Sequence, residues 1–242
     1  MASLQSLQNM LYMSTFLAAK SVPVIAAGTS IVFAVSPWTT VRTIARARST
    51  LQFSFAPFYF YFVQSVIFGL YAYATSNVLM GATTAFGSML DLHYVLVYYR
   101  HATDKTQPFR LLTIATACIL FLWVHTAGKS PDDAKVIIGV PGNILSVLTS
   151  ASPLLQVKTI IQRRDASSLP FGMSVMNVVS GGVWMIYGIM LRDILVIFPN
   201  GFAFVMGIIQ VALIMAFRAP KAAPSIPIAT MRFMSKSVHE KV

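Results

Sequence analysis

The stretch from Pro170-Phe171-Gly172 through Trp184-Met185-Ile186-Tyr187-Gly188 to Asp193 and Pro199-Asn200 sets turn-formers and polar side chains into otherwise apolar sequence. Two apolar runs, 171–191 and 194–217, flank the Arg192-Asp193 joint. Each has about the ~20 residues that carry a helix across a hydrocarbon core, and the joint leaves room only for a tight return. The reading is a helical hairpin in a membrane. Asn200 then falls inside the bilayer directly after Pro199, where an amide is costly unless it meets a partner or a water-lined cavity. It is the first functional candidate.

Of the 242 residues, 56% are hydrophobic and 10% charged, and the mean hydropathy is +0.70. That composition belongs to a polytopic membrane protein, not a soluble domain. The formal charge of +11 does not point to nucleic acid, because the basic residues sit in short joints between apolar runs instead of on one folded face. Cys118 is the single cysteine, which leaves no disulfide, CxxC redox pair or thiolate metal cluster within the chain. No paired-carboxylate, histidine-rich or nucleophile constellation is expected on a shared face, and there is no glycine-rich phosphate loop, so the sequence predicts no enzyme, no metal and no cofactor.

Residues 1–20 carry no basic residue ahead of their apolar positions, and they are expected to be an outer lead-in, not a secretory signal. The remaining runs predict helices over 21–41, 54–75, 77–99, 111–127 and 136–157, followed by the hairpin, which makes seven. Fourteen basic residues fall in the joints around Arg46, Lys105 and Arg163 and in the tail, against four (Lys20, Lys129, Lys135, Arg192) on the opposite side. Under the positive-inside rule the N-terminus is outside and the C-terminus cytosolic, in a plasma membrane or endomembrane. The tail, 218–242, holds prolines and scattered charge and is expected to be disordered beside the anionic leaflet.

Sliding the chain by 116 residues lays Ser36-Pro37 on Ser152-Pro153, Phe68 and Tyr71 on Trp184 and Tyr187, and Thr84 on Asn200. Pro57 and Pro170 are 113 apart, a slip of three at the helix starts. A three-helix unit enters and leaves a membrane on opposite faces, so a direct copy would be inverted. One extra crossing restores parallel orientation, and the helix within 104–134 supplies it. The predicted fold is therefore an all-α membrane protein with two parallel three-helix bundles, 21–103 and 135–217, joined by a linker helix. Parallel repeats of this kind are a transporter architecture with the site at the repeat interface.

These residues carry a resemblance. Ser152-Pro153-Leu154, Leu169-Pro170-Phe171, Trp184-x-x-Tyr187-Gly188, Asp193 and Pro199-Asn200 resemble the SWEET sugar transporters in type and order, and the first half keeps Ser36-Pro37, Pro57-Phe58, Tyr71, Gly87 and Asp91. The resemblance implies facilitative transport of mono- or disaccharides, assembly of several chains in the bilayer, and hinges at Pro37, Pro57, Pro153 and Pro170. Departures lie in the first half. Thr84 stands where the family usually has an asparagine, Phe68 where a tryptophan is common, Gln64 in place of another asparagine and Ala72 in place of a glycine.

A sugar ring presents apolar C–H faces and hydroxyl groups, so its pocket wants an aromatic platform and groups that donate and accept. Phe68, Trp184, Thr84 and Asn200 form that set. The competing reading of Asn200 is an interhelical bond, and that of Trp184 is packing or an interface anchor. Gln64 and Asn177 lie deeper and read first as structural hydrogen-bonders in a second layer around the pocket. No ionisable residue is expected at a helix centre, since Asp91 and His93 fall toward one end of their helix. A uniporter is therefore favoured over a proton symporter. The alternative function is a PQ-loop-type carrier of an amino acid or other small polar solute; against it, both Pro-Gln positions read Ser-Pro. A seven-helix receptor gains nothing from two like bundles.

Overall fold

The computed structural model describes residues 20–51, 53–151, 157–166, 169 and 171–217. The expected lead-in, the tail, Pro153 and Pro170 lie outside the described residues. Within them the apolar runs are helical: α1 (20–35), α2 (Trp38–Ala47), α3 (Ala56–Ala74), α4 (Val78–His101), α5 (Thr106–Thr126), α6 (Pro131–Ala151), α7 (Val157–Arg163), α8 (Phe171–Leu191) and α9 (Ile194–Ala216). Five spans are long and apolar enough to cross a membrane: α1 continued into α2, α5, α6, α8 and α9. At 19 and 24 residues, α3 and α4 have the length for the other two of the seven expected. Two basic joints expected to be plain connections contain the short helices α2 and α7 instead. In α2 the amphipathic sequence explains it, since Val41 and Ile44 are buried while Arg42 and Arg46 face outward.

Ser36-Pro37 shows why the pair recurs. A proline cannot donate to the carbonyl four residues back and its ring crowds that carbonyl. At Pro37 the freed group is Phe33 C=O, and Ser36 satisfies it twice, from its N–H at 3.1 Å and from its hydroxyl at 2.8 Å. The chain stays helical in direction, with Pro37 at φ −74°, and α2 follows. Next along the chain, Asp104 Oδ1 accepts from Thr106 N–H at 2.8 Å ahead of α5. Bonds from Thr106 to the ionised carboxylate hold Asp104 below its ordinary pKa.

The doubling is visible in the turns. Ser76 and Arg192, 116 apart, both adopt left-handed backbone, at φ 52° and 54°. After each, the next residue's N–H reaches back five positions, Asn77 to Ala72 C=O at 2.9 Å and Asp193 to Gly188 C=O at 3.0 Å. That residue's side chain then caps the following helix, from Met80 N–H at 3.0 Å in one copy and from Leu195 N–H at 3.1 Å in the other. Arg48 and Arg164, after α2 and α7, form another such pair, each at φ 50°. The slip of three lies at the prolines: Pro57 is the second residue of α3, where its missing N–H costs little, whereas the 116-residue offset pairs Pro170 with Ser54.

Packing follows the same division. α3 lies along α4 and α8 along α9, α6 touches both α3 and α9, and α5 leans on α3 and α6. The α8–α9 seam is close because Gly181, Gly188 and Gly207 present no side chain to it. A Cβ built on Gly181 would lie 2.9 Å from Asn200 C=O and 3.0 Å from Phe204 N. Gly181→Val should therefore push α9 away and destabilise the fold by about 1–3 kcal/mol or more, read as a lower melting temperature in detergent. Gly172→Ala, with nothing within 4 Å of its Cβ, should melt like the parent.

Candidate substrate cavity

A cavity of about 240 Å³ lies where α1, α3, α4, α6, α8 and α9 converge. All four residues expected to face a ligand, Phe68, Thr84, Trp184 and Asn200, line it, and so do Gln64, Asn177 and Pro37. Pro57 does not line it. The wall is built from repeat-related pairs: Phe68 with Trp184, Thr84 with Asn200, Gln64 with Ser180, and Ser30 with Ser146. The common offset is thus a register that brings equivalent helix turns of both halves to one hollow.

The aromatic platform is fixed on one side. Trp184 Nε1 donates to Ser30 Oγ at 2.8 Å, from α8 across to α1, and its ring meets Tyr187 edge-on at 5.5 Å. Phe68 occupies the equivalent place in α3, edge-on to Tyr71 at 6.3 Å, with no donor to offer Ser146. Asn200 Nδ2 donates to Val196 C=O at 2.8 Å, which leaves one N–H and the amide oxygen for the cavity. The hydroxyl of Thr84 differs from the sequence expectation. Its hydrogen goes to Met80 C=O at 2.7 Å within α4, so toward a ligand it acts as an acceptor only.

Asp91 also lines the cavity, buried at 7% exposure. The sequence reading places it only toward one end of its helix and does not count it among the residues of the site. α4 runs ten residues further, to His101, and the face that carries Thr84 and Gly87 also turns Asp91 inward. One turn in α3, Tyr61 to Ser65, packs beside it.

Sequence reasoning missed a polar cluster one helical turn beyond the Phe68–Trp184 pair. Tyr71 O–H donates to Asp193 Oδ2 at 2.5 Å, and Lys135 Nζ lies 2.9 Å from the same oxygen. The repeat-related pair is present too: Asn77 Nδ2 donates to Tyr187 O–H at 3.2 Å. The two tyrosine bonds each join one half of the chain to the other, and with Lys135 they tie together α3, α6, α8 and the starts of α4 and α9. The signal was available, since the same offset pairs Tyr71 with Tyr187 and Asn77 with Asp193. Asp193 is held by three groups at once. At the other end the cavity reaches Pro37, Asp91 and Ser150.

A polar hollow between two like halves that are bonded to each other beyond it defines a repeat-built membrane carrier. The profile of the family described as sugar efflux transporters for intercellular exchange matches the chain twice, over residues 20–106 and 136–222. The chain belongs to that family, the SWEET family. It is similar to the bidirectional sugar transporter SWEET1a of Sorghum bicolor, 28% identical over 199 residues that cover 79% of this chain and 74% of the relative. It is also similar to SWEET11 of Arabidopsis thaliana, 29% identical over 210 residues, 82% of this chain and 71% of the relative. A solved eukaryotic SWEET transporter shares the fold at a TM-score of 0.74 and 21% identity, covering 84% of this chain and 98% of its own.

The latch generates a test. Tyr71→Phe removes one bond to a carboxylate, worth about 1.5–3 kcal/mol. A cysteine at Thr84, in a Cys118→Ser background that removes the native exposed thiol, should be labelled from the Asn77 side at least about tenfold faster when Tyr71→Phe is added. Equal rates would mean that this bond does not hold the end shut.

Proposed function

We propose that this chain is a uniporter that carries mono- or disaccharides down their gradient by alternating access, with Phe68, Trp184, Thr84 and Asn200 as the substrate contacts. The observation that carries it is the convergence of these side chains on one cavity at the interface of the halves, within a chain of the SWEET family. Trp184, held by Ser30, offers a fixed face for the apolar side of a sugar ring. Asn200 offers a donor and an acceptor in a desolvated place. The latch at Asp193 closes one side. Pro37, which cannot hydrogen-bond to Phe33, gives the other side a point about which α1 and α2 bend. Pro57, Pro153 and Pro170 are proposed as further hinges on the same side.

The N-terminus is proposed to be outside or lumenal, with the turns at Asn77, Pro131 and Arg192 on that face, the tail cytosolic, and several copies assembled in the bilayer. Impermeant thiol labelling of intact cells checks the orientation in a Cys118→Ser background. A cysteine at Asn77 should react and one at Arg46 should not, and the reverse pattern would invert the assignment.

Uptake of labelled mono- and disaccharides into liposomes holding the purified chain tests the function. Transport should equilibrate the sugar, and an imposed proton gradient should not concentrate it. Accumulation above equilibrium that disappears in Asp91→Asn would replace the uniporter with a proton symporter. Asn200→Ala should weaken apparent affinity by roughly 1–3 kcal/mol, about 5- to 150-fold. Thr84→Val, which removes only an acceptor, should lose less. An unimpaired Asn200→Ala alongside a dead Thr84→Val would make Asn200 a helix-to-helix bond only.

A further inference from the structure

The cavity wall contributed by α3 and α4 has a chemical bias. Gln64 Oε1 is buried there and has no hydrogen-bond partner. Thr84 and Thr83 both commit their hydroxyl hydrogens to Met80 C=O, at 2.7 and 3.0 Å, and turn only lone pairs outward. Asp91 adds a carboxyl, which keeps an acceptor oxygen whether or not it is protonated. The polar groups that face Asp91 are Tyr61 and Ser65 from α3 and Tyr94 from its own helix. No lysine or arginine forms an ion pair with it among the described residues. On the opposite wall Asn200 of α9 keeps a free N–H for the cavity and Asn177 of α8 adds an amide.

We propose that Gln64, Thr84 and Asp91 form an acceptor wall that selects a substrate by the hydroxyl groups it donates, with Asp91 as a specificity-determining residue. The proposal rests on the sugar-carrier reading above and deepens it. A buried acceptor left without a donor is penalised, so an analogue that cannot donate at this wall is rejected, however well its shape fits. The substrate accordingly lies in one orientation, donating toward α3 and α4 and accepting from α8 and α9.

Replacing one sugar hydroxyl by hydrogen removes donor and acceptor, whereas replacing it by fluorine removes the donor and keeps a weak acceptor. The test uses the full chain in proteoliposomes and the labelled sugar it carries best, competed by the deoxy and deoxyfluoro analogues at each ring position. At one or more positions both analogues should compete about 5- to 150-fold more weakly than the parent sugar. Asp91→Asn, which puts a donor into the wall, should shrink the fluoro penalty more than the deoxy penalty, and Gln64→Leu should shrink both at its own position. Fluoro analogues that compete like the parent sugar at every position would overturn the proposal without any variant. Penalties that persist unchanged in Asp91→Asn and Gln64→Leu, at matched reconstitution, would overturn it as well. A chain that moves none of the sugars overturns the carrier reading, and the acceptor wall with it. A chain that moves sugar but ignores the missing donors overturns the wall alone.

Discussion

Asp193 is the group on which the assembly turns. A carboxylate at the edge of a hydrocarbon layer must be paired or capped to remain charged there. This one receives the Tyr71 hydroxyl of α3, the Lys135 ammonium of α6 and the first N–H of α9. One side chain thus joins three helices drawn from both halves of the chain. Its repeat-related partner Asn77 does similar work with less charge, capping α4 and bonding Tyr187 of α8. The two tyrosine bonds cross between the halves in opposite directions, so neither bundle can turn away from the other at that end while both are intact.

The same doubling builds the cavity. Because the turns at Ser76 and Arg192 share one geometry, the helices that follow them start in equivalent positions, and Thr84 and Asn200 arrive at equivalent heights in the wall. Glycines on α8 and α9 then let those helices come close enough for Asn200 to sit against Gly181. What differs between the halves is the side-chain chemistry. Trp184 can donate to Ser30 and Phe68 cannot donate to Ser146; Asn200 keeps a donor and Thr84 does not.

Much of this was legible because it depends on spacing alone. Apolar run length marked the spans, and the offset of 116 picked out Phe68, Thr84, Trp184 and Asn200, which share a cavity. Three things were not legible, each for a physical reason. The inward turn of Asp91 depends on how α4 rotates against α3, which run length does not specify. Thr84 becomes an acceptor through a rotamer that bonds its own helix, a choice no sequence pattern encodes. The latch joins residues 122 and 110 positions apart, and distant polar pairs leave no local signature, although the offset had already matched their members.

The unequal latches also make the two flanks of that end unlike in strength. The Tyr187–Asn77 bond is long and neutral, while Tyr71 and Lys135 hold a charged Asp193 at short range. The neutral fastening is the weaker of the two, so the Asn77 flank is held less tightly than the Asp193 flank. Two copies of one part have thus come to carry fastenings of unequal strength.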